Sequence, residues 1–226
     1  MEKHWELYHG SPRIVEHPYP GGGKVHNDYG PGFYCTENLA MALEWARPEF
    51  RPGFAIKYYL EYEGLSVLDL NSKPYHILNW LAILLQNRVF FMQTGIQKRA
   101  CDYVLSHFLP DYAGYDVIKG WRADDSYFKY ARYFLDNSLS LEQLQRAMQL
   151  GNLGEQVVLK SEKAFRRLFY LTAVSSPDRY AAAMAARDEE ARRKFQKIAA
   201  ESKAENGIFV MDMIRQNWTN DDARLQ

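Results

Sequence analysis

The chain has 226 residues, 47% hydrophobic and 25% charged, a composition that suits one core-bearing domain or a domain with an appendage. Its 28 basic and 28 acidic side chains cancel, which argues against broad electrostatic attraction to nucleic acid or anionic membrane. The two cysteines, Cys35 and Cys101, form neither a metal spacing nor a disulfide framework, and the six histidines supply no metal-ligand pair.

Taken in order, residues 7–11 (Leu-Tyr-His-Gly-Ser) read as a short apolar strand ending in His9-Gly10-Ser11. The start of the chain before it carries no apolar signal core. Residues 12–31 are dense in proline and glycine and read as a flexible loop over a ligand site. The Gly21-Gly22-Gly23-Lys24 run within it is not a phosphate-cradling loop, because Val25 stands where Ser or Thr is required. Residues 32–36 form a second short strand, and Glu37-Asn38 opens a helix over 39–46 that carries Trp45. Aromatic and β-branched content predicts a strand over 54–62 and another over 65–70.

A helix is expected from Pro74 to about residue 93, with Ile77, Leu81, Leu84 and Leu85 on one face. Its apolar stretch is too short to cross a bilayer. A second helix follows over 96–107, then a strand over 115–118. Helices are expected near 125–136 and 140–149, the latter opened by Ser140 and Gln143 as a capping box. After the turn 151–154, residues 155–159 read as a strand, and Ser161 caps a helix expected to include Phe165, Leu168 and Phe169. Residues 181–205 read as a long solvated helix with pairs such as Glu189–Arg193, followed by an apolar patch at 208–214. The pattern as a whole is α+β, with a boundary expected near 175 between residues 1–175 and a helical C-terminal extension, 176–226.

Three features stand together: His9-Gly10 at a strand end, Gly30-Pro31-Gly32-Phe33-Tyr34, and Trp45 eleven positions after Tyr34 on the helix. A late Glu155 begins a strand after a Gly-bounded turn. This pattern resembles the His-Tyr-Glu branch of the ADP-ribosyltransferase fold, which includes diphtheria toxin and the poly(ADP-ribose) polymerases. It is most similar to small bacterial and phage proteins of that kind catalogued as a domain of unknown function. The resemblance covers roughly residues 5–170 and includes Tyr115-Asp116-Val117-Ile118-Lys119-Gly120 and Gln156-Val157-Val158-Leu159-Lys160-Ser161. It implies a split β-sheet core with surrounding helices and NAD as co-substrate.

On this resemblance His9 donates a hydrogen bond to a ribose hydroxyl, and Gly10, with Ser11 beside it, pairs its backbone with the nicotinamide carboxamide. Tyr34 and Trp45 stack the ring. Glu155 stabilises the positive charge that builds on the ribose as the nicotinamide bond breaks. The neighbouring Gln156 is the alternative for the residue facing the site, because successive strand residues point to opposite faces. Arg122, with Asp124 and Asp125, is either a solvated loop with Asp125 as a helix cap or a contact to phosphate or acceptor. Plain core packing is the competing reading for Trp45, and a satisfied core histidine for His9.

The expected activity is mono-ADP-ribosylation of a macromolecular acceptor, whether protein, RNA or DNA. Arginine as acceptor is not supported, since Leu153 stands two residues before Glu155 where arginine-modifying relatives have Glu or Gln. The resemblance further implies a toxin of a toxin–antitoxin or phage-defence system; the two cysteines suit a reduced, cytoplasmic setting, and the charged helix with its apolar patch suits an antitoxin or a second copy as partner, or folding back on the core. The rivals are a non-catalytic NAD or ADP-ribose binding module, and an interaction protein that works through that helix.

Overall fold

A computed structural model describes residues 4–46, 52–123, 125–148, 154–200 and 207–225. It is α+β and divides into two compact units that alternate along the chain. One comprises residues 1–71, 111–122 and 154–187; the other comprises 72–110, 123–153 and 188–226.

The first unit carries two open sheets. In the three-stranded sheet, β1 (His4–Ser11) and β7 (Leu168–Ser175) flank the central β3 (Phe54–Glu61), all antiparallel. The four-stranded sheet has the order β2 (Phe33–Cys35), β6 (Glu155–Leu159), β5 (Val117–Trp121), β4 (Val67–Asp69), antiparallel except for the parallel β4–β5 pair. Period-2 side chains build one core from both: Leu7, Ile56, Tyr58 and Leu60 from the first, Cys35, Val117, Val157 and Leu159 from the second. The helix α1 (Leu39–Trp45) is capped by Asn38, whose side chain accepts from the Met41 N–H, and it packs Ala42 and Leu43 on Ala55.

The second unit is helical. It contains α2 (Ile77–Asn87), α3 (Gly95–Phe108), α4 (Asp125–Leu135), α5 (Leu141–Met148) and α8 (Val210–Arg215). Of α7 (Arg179–Ala200), the residues up to Arg187 group with the sheet unit and the rest with the helical one. The Ser140–Gln143 capping box forms as expected, with the Gln143 N–H reaching the Ser140 hydroxyl at 3.2 Å and the Ser140 N–H reaching the Gln143 side chain at 2.9 Å.

Three local expectations are corrected. Pro74 precedes α2 rather than opening it, and extended backbone at Arg88 ends that helix before residue 93. Ser161 does cap α6, but α6 is only Glu162–Phe165, and Leu168 and Phe169 belong to β7. Pairing with β3 decides this: Leu168 turns inward while Phe169 faces out, the alternation of a strand. In α7, Arg193 pairs bidentately with Glu190 instead of Glu189. The apolar patch at 208–214 is buried in part within its own unit, with Ile208, Phe209, Met211 and Ile214 half-buried. Val210 and Met213 are fully buried, and the Tyr103 hydroxyl on α3 bonds the carbonyls of Met213 and Trp218 at 3.0 and 2.6 Å.

Candidate functional site

All seven site residues expected from the sequence lie in the sheet unit. Gly10, Trp45, Arg122 and the Gly154 that precedes Glu155 meet at one face of α1, whereas Tyr34 and Glu155 lie on opposite faces of the four-stranded sheet. Met41 and Trp45 are one turn apart on that helix, and a glycine meets each. A Cβ on Gly10 would lie 2.8 Å from Trp45 Cβ and 2.3 Å from the Ala42 carbonyl oxygen. The missing side chain of Gly10 therefore lets helix and strand approach, where the sequence had pointed to ligand access. Gly154 has φ 73°, and the Met41 sulfur occupies the place of its Cβ.

The backbone of Gly10 faces an open edge. Tyr8 exchanges its N–H and C=O with Thr36 at 2.8 and 2.9 Å. Backbone groups alternate sides along a strand, so Gly10, two residues on, presents its own N–H and C=O to the same side, beyond the end of β2. Ser11 is buried, and its hydroxyl accepts from the Arg13 N–H at 3.3 Å; it serves the turn that leaves β1.

His9 lies against Phe33, with ring centroids 4.4 Å apart, and its Nδ1 is 2.7 Å from the Tyr34 carbonyl. A carbonyl only accepts, so Nδ1 carries the proton. Burial lowers the imidazole pKa despite that bond, so the ring is neutral and Nε2 is left as an acceptor. Nε2 thus offers an acceptor, where the resemblance implied a donor. Tyr34 is fixed through its own turn, donating to the Gly30 carbonyl at 2.6 Å and accepting from the Tyr29 N–H at 3.0 Å.

The loop that the sequence marked as flexible is pinned at its second half. Tyr29 is fully buried and donates to the Trp121 carbonyl at 2.6 Å. Lys160 donates to the carbonyls of Tyr29 and Pro31, both at 2.5 Å, and burial pushes its ammonium down to about 8.

Arg122 reaches Trp45: its guanidinium carbon is 4.8 Å from the ring centroid. Its backbone N–H donates to the Gly154 carbonyl at 3.1 Å, which sets the start of β6 beside the same helix face. The indole Nε1 of Trp45 is buried without a hydrogen-bond partner among the described residues. Asp124 and Leu153 lie outside the described residues, as does the side chain of Asp125.

Strand parity separates the two β6 candidates. Glu155 shares its face with Val157 and Leu159, and Gln156 shares the face of Tyr34 and Val158. Gln156 is 5% exposed and donates to Asp28 at 3.3 Å. The Glu155 side chain is 35% exposed and is the one of the pair that reaches solvent. Its carboxylate accepts from Asn71 Nδ2 at 2.6 Å and pairs with Lys119 Nζ at 3.1 Å. Lys119 also pairs with Glu37 at 2.7 Å. Burial alone would depress the Lys119 ammonium, but its bonds to the two carboxylates hold it above the ordinary range.

Asn71, Lys119 and Glu37 were missed as site residues because they meet Glu155 only through sheet pairing. Asp116 is a further hub. It accepts from Ser161 Oγ at 2.5 Å and from Ser66 N–H and Oγ at 2.8 and 3.1 Å, with Lys163 at 3.4 Å. Burial would raise its pKa, but these partners outweigh that and pull it down to about 2. Asp116 thus ties β4, β5 and α6 together below the site.

A family model described as "Protein of unknown function (DUF3990)" matches residues 5–170. The chain belongs to this family. No curated protein and no solved structure matches it. The DUF3990 match spans every candidate site residue and stops early in β7. Residues beyond it nevertheless fix α1. Ser176 Oγ donates to the Leu43 carbonyl at 2.6 Å, and Arg187 forks onto the buried Glu44 carboxylate at 2.6 and 2.8 Å. No helix among the described residues is long and apolar enough to cross a membrane, and none of their His, Cys, Asp or Glu side chains cluster as a metal site.

Proposed function

We propose that this DUF3990 protein is an NAD-dependent ADP-ribosyltransferase that moves a single ADP-ribose unit to a macromolecular acceptor, protein or nucleic acid. The observation that carries the reading is the convergence on one face of α1. The open edge of Gly10, the ring of Trp45, Arg122 and the Gly154–Glu155 corner all meet there. The donor set suits the nicotinamide riboside end of NAD. Gly10 offers one N–H and one C=O to a carboxamide, Trp45 a flat ring, and His9 Nε2 an acceptor for a ribose hydroxyl. Glu155 would stabilise positive charge developing on that ribose. Family resemblance extends the proposal to a toxin held in check by an antitoxin.

A second reading, a non-catalytic NAD or ADP-ribose binding module, is favoured by one specific fact: the Glu155 carboxylate is already paired with Lys119. Two measurements separate the readings. Calorimetry with NAD should show binding that Trp45→Ala and Tyr34→Ala each weaken severalfold, since an aromatic pair contributes ~0.5–1.5 kcal/mol beyond its area. Labelled NAD incubated with lysate should then yield labelled product, sorted as protein or nucleic acid by protease and nuclease. Equal NAD affinity in all three proteins would remove the pocket; binding without label transfer would leave the binding module.

A further inference from the structure

Lys119 lies between two carboxylates that sequence order places far apart. It reaches Glu37 at 2.7 Å and Glu155 at 3.1 Å, while Asn71 holds the other Glu155 oxygen at 2.6 Å. Asp69, the Cα partner of Lys119 on β4, is engaged through Oδ1 with the Asn71 N–H at 3.0 Å. One ammonium thus serves two anions, and it is nearer to the one that the proposed chemistry does not use.

We propose that Lys119 is a positioning residue that holds, at Glu155, the place a ligand's positive charge takes, and that it withdraws wholly onto Glu37 as a cationic ligand binds. The inference rests on the NAD reading. A carboxylate with an ammonium at 3.1 Å is largely neutralised and offers little to a second cation. Lysine is a compact point charge on a flexible stem. With Glu37 already in hand, leaving Glu155 costs Lys119 one ion pair and keeps the other. Asn71 is neutral and keeps the carboxylate oriented throughout.

The exchange swaps one cation for another at Glu155 and leaves that carboxylate paired throughout, while Lys119 stays paired with Glu37. It therefore depends on the ligand's charge. The oxidised dinucleotide, whose pyridinium ring is cationic, can displace Lys119; the reduced dinucleotide, with a neutral dihydropyridine, has nothing to put in its place. Lys119 on this view lowers the affinity for NAD, leaves that for NADH unchanged and so narrows the preference between them.

The test compares NAD and NADH binding by calorimetry in the wild type, Lys119→Met, Lys119→Arg and Lys119→Met/Glu155→Gln, with melting curves to confirm folding. Lys119→Met should bind NAD roughly fivefold more tightly, the scale of one partly exposed ion pair, and should bind NADH no better than before. Lys119→Arg, which keeps the charge, should stay near the wild type, and the gain for NAD should vanish in the double variant. An unchanged or weakened NAD affinity in folded Lys119→Met overturns the inference, as does an equal gain for NAD and NADH, which would mark a loosened site. If Lys119→Met melts early, Lys119→Gln replaces it. If no folded variant binds NAD at all, the NAD reading falls and takes the exchange with it. If NAD binds and Trp45→Ala weakens it while Lys119 variants change nothing, only the exchange falls.

Discussion

The sheet unit and the helical unit treat their polar groups differently. In the helical unit, Tyr103 and Gln143 use buried polar side chains to join segments that are far apart in the chain. Tyr103 bonds the carbonyls of Met213 and Trp218, and Gln143 closes its capping box and reaches the Ile198 carbonyl at 3.0 Å. In the sheet unit, the indole Nε1 of Trp45 on α1 is buried without a hydrogen-bond partner among the described residues, and the neighbouring Gly10 lies on the edge strand β1. A buried polar group without a partner costs stability. On the proposed reading, a ligand at the Gly10 edge beside Trp45 supplies the missing partner. The contrast teaches where a lesion should change chemistry and where it should change only folding.

The largest expected effect tests the chemical side. Glu155→Gln is nearly isosteric and keeps the bond to Asn71 available, so NAD affinity should change little. Loss of the negative charge should slow transfer by roughly 100- to 1000-fold, about 2.7–4 kcal/mol in the transition state. Gln156→Ala is the control on the opposite face, where the side chain meets Asp28. Transfer rates from labelled NAD that are near normal in Glu155→Gln but collapse in Gln156→Ala would move the site one residue along.

Next in size is a lesion that keeps to the sheet unit but avoids the site. Asp116→Asn removes the charge that receives four contacts from Ser66, Ser161 and Lys163. Hydrogen bonds to a charged group contribute ~1.5–3 kcal/mol, so denaturant unfolding should show a loss on that order. The pH dependence has a definite sign. The folded pKa near 2 lies below the ordinary 3.8, so the stabilisation is complete above about pH 4 and is lost as pH falls toward 2. Asp116→Asn should flatten that acid limb; an unchanged limb would mean that another carboxylate carries it.

Much of this was legible in the sequence, for reasons that differ by element. β3 announces itself through aromatic and β-branched residues, β1 as a short apolar run ending in His9-Gly10, and β6 through Val157, Val158 and Leu159 after a glycine turn. The Gly30–Tyr34 turn, Asn38 cap and Trp45 are local signals within a few residues of one another. The network around Glu155 is not local. Asn71 lies 84 positions away and Lys119 arrives through the β5–β6 register, so neither could be assigned before the sheet order was known. β7 was taken for the continuation of α6 because Phe165, Leu168 and Phe169 fit a helical spacing. The available partner was β3, and tertiary pairing overrode local periodicity. The helical unit draws on three separated segments, an arrangement that no single stretch encodes.

A smaller effect probes the helical side of the comparison. Tyr103→Phe keeps the ring and removes one hydroxyl proton shared by two carbonyls. The net loss should be about 1 kcal/mol, the value of one neutral hydrogen bond, seen as a lower denaturation midpoint at unchanged slope. NAD affinity and transfer rate per folded molecule should match the wild type. A specific drop in either, with folding intact, would break the division of labour between the units.

The smallest effect concerns His9 and is read from pH. Burial lowers its pKa below the ordinary 6.5 and the Tyr34 carbonyl fixes the proton on Nδ1. Near neutral pH the folded protein holds a neutral ring, and Nε2 accepts. As pH falls below 6.5, the unfolded chain takes up a proton that the folded one resists, so the His9 contribution to stability declines from that point downward. NAD affinity should stay level from pH 8 through 6.5, because the acceptor at Nε2 persists across that range. His9→Gln preserves a donor for the Tyr34 carbonyl and should remove this slice of the pH dependence while weakening NAD modestly. Histidine ring resonances followed by NMR across the same range give the check. A His9 midpoint at or above 6.5 would mean that the ring is solvated and protonated at mild acidity. It would then present a donor at Nε2, and the original polarity expected from the sequence would be restored.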